Sequence, residues 1–293
     1  MSISAALVKE LRDRTGAGMM ECKKALAETQ GNMDTAIEYL RKNSLVKAEK
    51  RAGKAAAEGL IIIKSSSDNK TAIIVEVNCE TDFVAKGDDF NQFAEAVAKR
   101  IIAAKPTSRE ALLAMPLNDG NATTVEAAIK TLTAQIGEKI DVRRFEVIKA
   151  KGTLGSYMHG TRIGVVVDIE GGSEDLRKDV AMHVAASRPT CVREEQVSAD
   201  LIAKEKEIYT AQAQDSGKPA DIIEKMVMGK VKKFLKDITL LGQPFVKNPD
   251  QTIEQLVKAA KADVKDFVCL VLGEGIEKKT EDFAAEVMAQ VKK

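Results

Sequence analysis

Tryptophan is absent from the 293 residues, and aromatic residues make up only 4% of them. Surfaces for stacking single-stranded nucleic acid are therefore scarce. A charge excess of either sign is also missing: 45 Lys and Arg stand against 44 Asp and Glu, a formal net charge of +1. A global basic field for DNA, RNA or anionic lipid is excluded, and any such affinity has to be local. Histidine occurs only at positions 159 and 183, and Cys22, Cys79, Cys191 and Cys269 are far apart without Cys-x-x-Cys spacing. This pattern argues against zinc and against a disulfide framework. The Gly-Lys pairs at Gly53, Gly217 and Gly229 are followed by Ala55, Pro219 and Val231, so a phosphate cradle ending in Lys and Ser or Thr is not written here. No apolar run approaches the ~18 residues of a membrane span. Lys9, Glu10, Arg12 and Asp13 break up the stretch where a signal peptide needs apolar residues. A cytoplasmic protein with no membrane contact is expected.

What is present is enough chain for about two domains. Residues 1–43 read as three short helices: Ile3, Leu7 and Leu11 recur at four-residue spacing, and segments 19–29 and 34–42 follow the turns at Gly16 and Gly31. Lys47, Lys50, Arg51 and Lys54 among alanines suggest a solvated linker helix over 44–58. Beyond Gly59 the period changes to two, and a hairpin is expected from Leu60–Lys64 and Ala72–Val77. A helix from Asp89 to Ala104 places Phe90, Phe93, Ala94, Val97 and Ile101 on one face. Another helix over 125–136 and a strand near 142–148 follow.

The strand, strand, helix pattern then repeats over 152–159, 162–169 and 174–188. From Val77 to Pro106 the first copy spans 29 residues, whereas the second spans 22 from Val167 to Pro189. The surplus falls in Asn78-Cys79-Glu80-Thr81-Asp82-Phe83-Val84-Ala85-Lys86, a strand-to-helix connection of the kind that carries function. Phe83 could fold back over the core with Asp82 capping the next helix, or it could insert into a partner beside the Asp82 charge. Residues 198–238 read as an antiparallel helical hairpin lined by Leu201, Ile202, Ile208, Ile223, Val227, Val231, Phe234 and Ile238. Residues 242–249 look irregular, 267–272 like a last strand and 281–291 like a terminal helix. The fold class is α+β.

Two long motifs resemble bacterial elongation factor Ts: Leu11-Arg12-Asp13-Arg14-Thr15-Gly16-Ala17-Gly18-Met19-Met20-Glu21-Cys22-Lys23-Lys24-Ala25-Leu26, and Glu76 through Lys86. The resemblance continues through Gly155-Ser156-Tyr157-Met158-His159-Gly160, Met182-His183-Val184-Ala185-Ala186, Gly242-Gln243-Pro244-Phe245-Val246 and Gly273-Glu274-Gly275-Ile276-Glu277. It implies an N-terminal three-helix, UBA-like module with its linker (1–54), a core N-subdomain (55–140) and a core C-subdomain (141–197 and 239–272). An inserted coiled-coil hairpin (198–238) and a C-terminal helical module (273–293) complete that plan. The implied function is guanine nucleotide exchange on elongation factor Tu, GDP-bound and nucleotide-free, without chemical catalysis and without a cofactor of its own.

By the same resemblance, Thr81, Asp82, Phe83 and Val84 dislodge the partner's Mg2+, and Arg12, Met19, Met20, Tyr157 and His159 contact the partner. A homodimer, or a heterotetramer with the partner, stays open; direct DNA binding is not implied. From its residues alone, His159 fits either a contact or a hydrogen-bonded edge position, and His183, on an apolar helix face, reads as structural. The alternative classes are an RNA-binding translation or ribosome-associated protein, which the balanced charge argues against, and a hydrolase or transferase, which lacks a convergent titratable cluster.

Overall fold

The computed structural model describes residues 3–120, 122–214 and 219–277. Helices α1 (Ala5–Thr15), α2 (Met19–Glu28) and α3 (Met33–Arg51) open the chain. Ser4 Oγ accepts from Leu7 N to start α1, and Gly16, at φ 66°, ends it in the left-handed conformation. Leu11, Cys22, Ala25, Leu26 and Ala36 are fully buried where the three helices meet. The expected linker helix is not separate. Residues 43–51 contain neither Gly nor Pro, so α3 runs through to Arg51 and gives way to a turn at Gly53.

Strands β1 (Glu58–Ser65) and β2 (Thr71–Cys79) form the first hairpin. Its turn is closed by Asp68, whose Oδ1 accepts from Ser66 Oγ and Lys70 N. The short helix α4 (Asp82–Ala85) leads into α5 (Asp88–Ala104), which buries Phe90, Phe93, Ala94, Val97 and Ile101 as their spacing predicts. After α6 (Arg109–Ala114) and α7 (Val125–Ile136), β3 (Asp141–Lys149) completes a sheet of order β1-β2-β3. As the middle strand, β2 is buried continuously from Ala72 to Cys79. This explains why it reads as an unbroken apolar run with a single charge, Glu76.

The second copy consists of β4 (Thr153–His159), β5 (Ile163–Glu170) and α8 (Glu174–Ser187). Both long helices end the same way. Lys105 and Arg188 take left-handed φ values of 49° and 46° immediately before Pro106 and Pro189. Gly155 is required because a Cβ there would lie 2.4 Å from Arg177 Cβ, so α8 can lie close over β4. Helices α9 (Ala199–Gln214) and α10 (Ala220–Ile238) form the hairpin. Val227 of α10 is buried, whereas Ile208 of α9 is partly exposed. The expected irregular stretch holds β6 (Pro244–Phe245) and β7 (Asn248–Thr252), followed by α11 (Ile253–Ala259) and β8 (Asp263–Val271). The second sheet is antiparallel with order β4-β5-β8, and Ile163 faces His159 on one side and Val271 on the other.

The chain divides into two compact units. One is drawn from Met1–Ile62, Val75–Phe145 and Leu272–Lys293, the other from Ile63–Ile74 and Glu146–Val271. The architecture is α+β with antiparallel sheets, as the sequence leads one to expect. The terminal helix expected over 281–291 and the hairpin turn at 215–218 lie outside the described residues.

His183 is fully buried in α8. Val246 N donates to its Nδ1 (3.2 Å), so the ring proton sits on Nε2 and is donated to Gln243 Oε1 (3.0 Å). Gln243 Nε2 in turn donates to Asp237 O (2.7 Å). Burial pushes the His183 pKa below its ordinary 6.5, and the Gln243 bond opposes this more weakly. The folded state therefore binds the proton less well than the unfolded chain. The ring's contribution to stability is complete above about pH 6.5 and is lost as pH falls below that value. Thermal melts at pH 7.5 and 5.5 should show a loss on acidification that His183→Gln reduces; an identical loss in both proteins would refute the assignment.

Candidate functional site

The inserted loop begins where β2 ends and is held by its own polar atoms. Thr81 is the N-cap of α4, and its Oγ1 accepts from Val84 N (3.4 Å). The expectation that Asp82 caps a helix is corrected here. Thr81, one residue earlier, has the extended backbone a cap needs, and Asp82 instead pairs with Lys86 Nζ at 2.7 Å. That bond holds the Asp82 carboxyl below the usual carboxylate range. Thr81 also donates from N and Oγ1 to Glu138 Oε2 and Oε1, at 2.9 and 2.7 Å, while its carbonyl accepts from Cys79 Sγ and Ala85 N. Every polar atom of this threonine is engaged.

A second clamp runs the opposite way. Glu80 Oε1 accepts from Lys139 N (2.7 Å), and its Oε2 lies 3.0 Å from Arg51 Nη1. On the far side of α4, Asn91 Nδ2 donates to the carbonyls of Ala85 and Gly87. Between these anchors Phe83 is 82% exposed. Of the two expectations for this ring, folding back over the core is not what the structure shows.

The other candidate residues fall into two groups. Arg12 is exposed on α1, and Met19 and Met20 are 54% and 74% exposed at the start of α2. Two large apolar side chains thus stand next to each other in solvent at one helix start. Tyr157 and His159 project from the same face of β4, with Tyr157 Oη 3.3 Å from His159 Nδ1. The Tyr157 ring rests on the buried cluster that includes Val165 and Val184, while His159 is exposed.

Sequence reasoning did not find Glu138 or Arg143 and placed Arg51 only on a solvated linker helix, because nothing local ties Glu138 to Thr81, Arg51 to Glu80 or Arg143 to Glu76. Arg143 and Arg144 in β3 both pair with the fully buried Glu76, at 3.1 and 2.6 Å. Gly273 N and Asn78 Nδ2 donate to the same carboxylate. Burial works to raise the Glu76 pKa, but the Gly273, Arg144 and Asn78 bonds together hold it below the ordinary value.

Two of the four thiols are held protonated by their surroundings. Burial, with the Glu138 and Glu58 charges nearby, pushes Cys79 up to about 12, and burial also raises Cys191. Among the described residues, no three His, Cys, Asp or Glu side chains come together as a metal site, and no helix is long and apolar enough to cross a membrane.

These features define an α+β protein that presents a clamped, ring-bearing loop from a duplicated sheet-and-helix framework. A family model described as Elongation factor TS matches residues 80–274. Over the whole chain, the sequence is 56% identical to elongation factor Ts of Thioalkalivibrio sulfidiphilus and 56% identical to that of Methylococcus capsulatus, covering 99% of each relative. It is 52% identical to elongation factor Ts of Legionella pneumophila, with 99% of both chains covered. The chain belongs to the elongation factor Ts family.

Proposed function

We propose that this chain is the guanine nucleotide exchange factor for elongation factor Tu in protein biosynthesis, acting in the cytoplasm by binding alone, with no covalent bond made or broken. The observation that carries the mechanism is the exposure of Phe83 on a loop whose flanking backbone is fully anchored. A factor that binds the empty GTPase more tightly than the loaded one must weaken nucleotide binding by the same coupling energy. Taking a nucleotide dissociation constant from about 1 nM to 1 μM requires roughly 4 kcal/mol. Fully burying one Phe supplies roughly 1.5–3 kcal/mol, and an exposed ion pair ~0–1 kcal/mol, so several surfaces have to cooperate.

In this mechanism Thr81, Asp82, Phe83 and Val84 displace the partner element that holds Mg2+, and the loss of the cation leaves the diphosphate's charge uncompensated. Arg12, Met19 and Met20 dock helices α1–α3, read as a UBA-like module, on the GTPase domain. Tyr157 and His159 touch a second domain of the partner. The segmentation into 1–54, 55–140, 141–197 with 239–272, 198–238 and 273–293 belongs to the same proposal.

The test is release of fluorescent GDP from elongation factor Tu. Substoichiometric amounts of this protein should speed release through many turnovers, and the gain should shrink at high free Mg2+. A release rate independent of the protein would overturn the assignment.

A further inference from the structure

We infer that Glu138 is a positioning residue for exchange: with Glu80 it fixes the loop so that Phe83 is already presented in the free protein. This rests on the reading of Phe83 as the inserting ring, and it adds a requirement that nothing in the loop's own sequence reveals. Glu138 lies 57 residues from Thr81 and accepts both of that residue's donors, while Glu80 lies 59 residues from Lys139 and accepts its backbone N–H. The two bonds cross. Each connection puts a carboxylate onto the other's backbone, and Arg51 Nη1 holds the Glu80 end.

A single side-chain-to-side-chain bond could break without freeing either loop, but these bonds fasten main chain. The backbone from Glu80 to Thr81 is therefore fixed before α4 begins. Helix α4 spans only Asp82–Ala85 and buries none of its residues, so its own packing cannot orient it. Its direction comes from the Thr81 cap and the Asn91 bonds to Ala85 and Gly87.

A large apolar ring that is 82% exposed has no packing to keep it outward, and a loose loop would let it collapse onto nearby apolar surface. The clamp prevents this and removes the ordering cost that a mobile loop would meet on binding. The carboxylate of Glu138 has one oxygen for each donor, at 2.7 and 2.9 Å, so a neutral amide can replace only half of it.

Glu138→Ala, Glu138→Gln and Phe83→Ala are compared with the wild type in two measurements. The first is amide hydrogen exchange over 80–86, with β4–β5 as an internal control. The second is stimulated release of fluorescent GDP from elongation factor Tu, titrated in the factor. Glu138→Ala should speed exchange over 80–86 but not in β4–β5. It should also lower the maximal stimulated rate about tenfold while moving the half-saturating concentration less than about threefold, because a misplaced group costs rate more than docking. Glu138→Gln should fall between Ala and wild type, and it carries the test if the alanine variant does not fold.

Unchanged amide exchange in both Glu138 variants overturns the clamp. A loosened loop with a wild-type maximal rate overturns its role in exchange. If Phe83→Ala itself keeps the wild-type rate, the inserting-ring mechanism fails instead, and the amide measurement still decides whether Glu138 holds the loop.

Discussion

Phe83→Ala should slow factor-stimulated GDP release by roughly 10- to 150-fold, and the thermal midpoint of the free protein should stay within about 2 °C of wild type. The range follows from the roughly 1.5–3 kcal/mol that a Phe side chain gains on full burial, at about 1.4 kcal/mol per factor of ten. The unchanged midpoint follows from exposure. A ring that is 82% exposed gives the folded state little packing to lose, and surface substitutions of this kind usually stay within about 0.5 kcal/mol. The contrast between the two readouts is diagnostic, because a ring covering the core would give the opposite result. Equal release rates for the two proteins would remove the loop from the mechanism. A large fall in the midpoint would mean that Phe83 packs internally in solution.

The loop and its ring were legible in the sequence because the duplication exposed them: a second copy without the extra residues marks where the first has gained something. Helices α5 and α7 were legible for a different reason, their apolar period of three and four residues continuing for three turns or more. Helices α6 and α11, at six and seven residues, are too short to show a period. Their sign was the cap alone. Ser108 precedes α6, and Thr252 with Gln255 three positions later forms a capping box at α11, a pattern visible in the bare sequence.

The length of α3 is hidden because helix formers continue across a change from apolar to charged residues, and a change of charge alone does not end a helix. The clamps escaped entirely. Glu80 with Lys139, and Glu138 with Thr81, become neighbours only after β2 and the turn following α7 are brought together by the fold, and single-chain periodicity has no access to such pairs.

Glu76 provides the second large expected effect, on stability rather than exchange. Its carboxylate is fully buried in the middle strand and receives Arg143, Arg144, the Gly273 N–H and Asn78 Nδ2. Arg143 Nη2 also donates to the Glu274 carbonyl. Gly273 itself, at φ 72°, would place a Cβ 2.5 Å from Ala57 O, so the turn that delivers this N–H tolerates only glycine. Replacing Glu76 with Ala takes the buried carboxylate away from both guanidinium groups, while Arg144 Nη2 keeps Glu274 Oε2 at 3.4 Å, a loss of about 3–5 kcal/mol. At roughly 2–4 °C per kcal/mol for a chain of this size, the midpoint should fall by roughly 6–20 °C.

The pH dependence has a definite sign. Because the bonds to Gly273, Arg144 and Asn78 hold the folded pKa below the ordinary 4.5, the carboxylate's contribution is complete above that value and disappears as pH falls through the folded pKa. Glu76→Gln keeps the size of the side chain but cannot titrate, so its acid limb should be flatter than that of wild type. Melting curves from pH 7 to 3 for the three proteins decide the matter: a Glu76→Ala midpoint within about 2 °C of wild type at pH 7 would show that Arg143 and Arg144 are satisfied without this carboxylate.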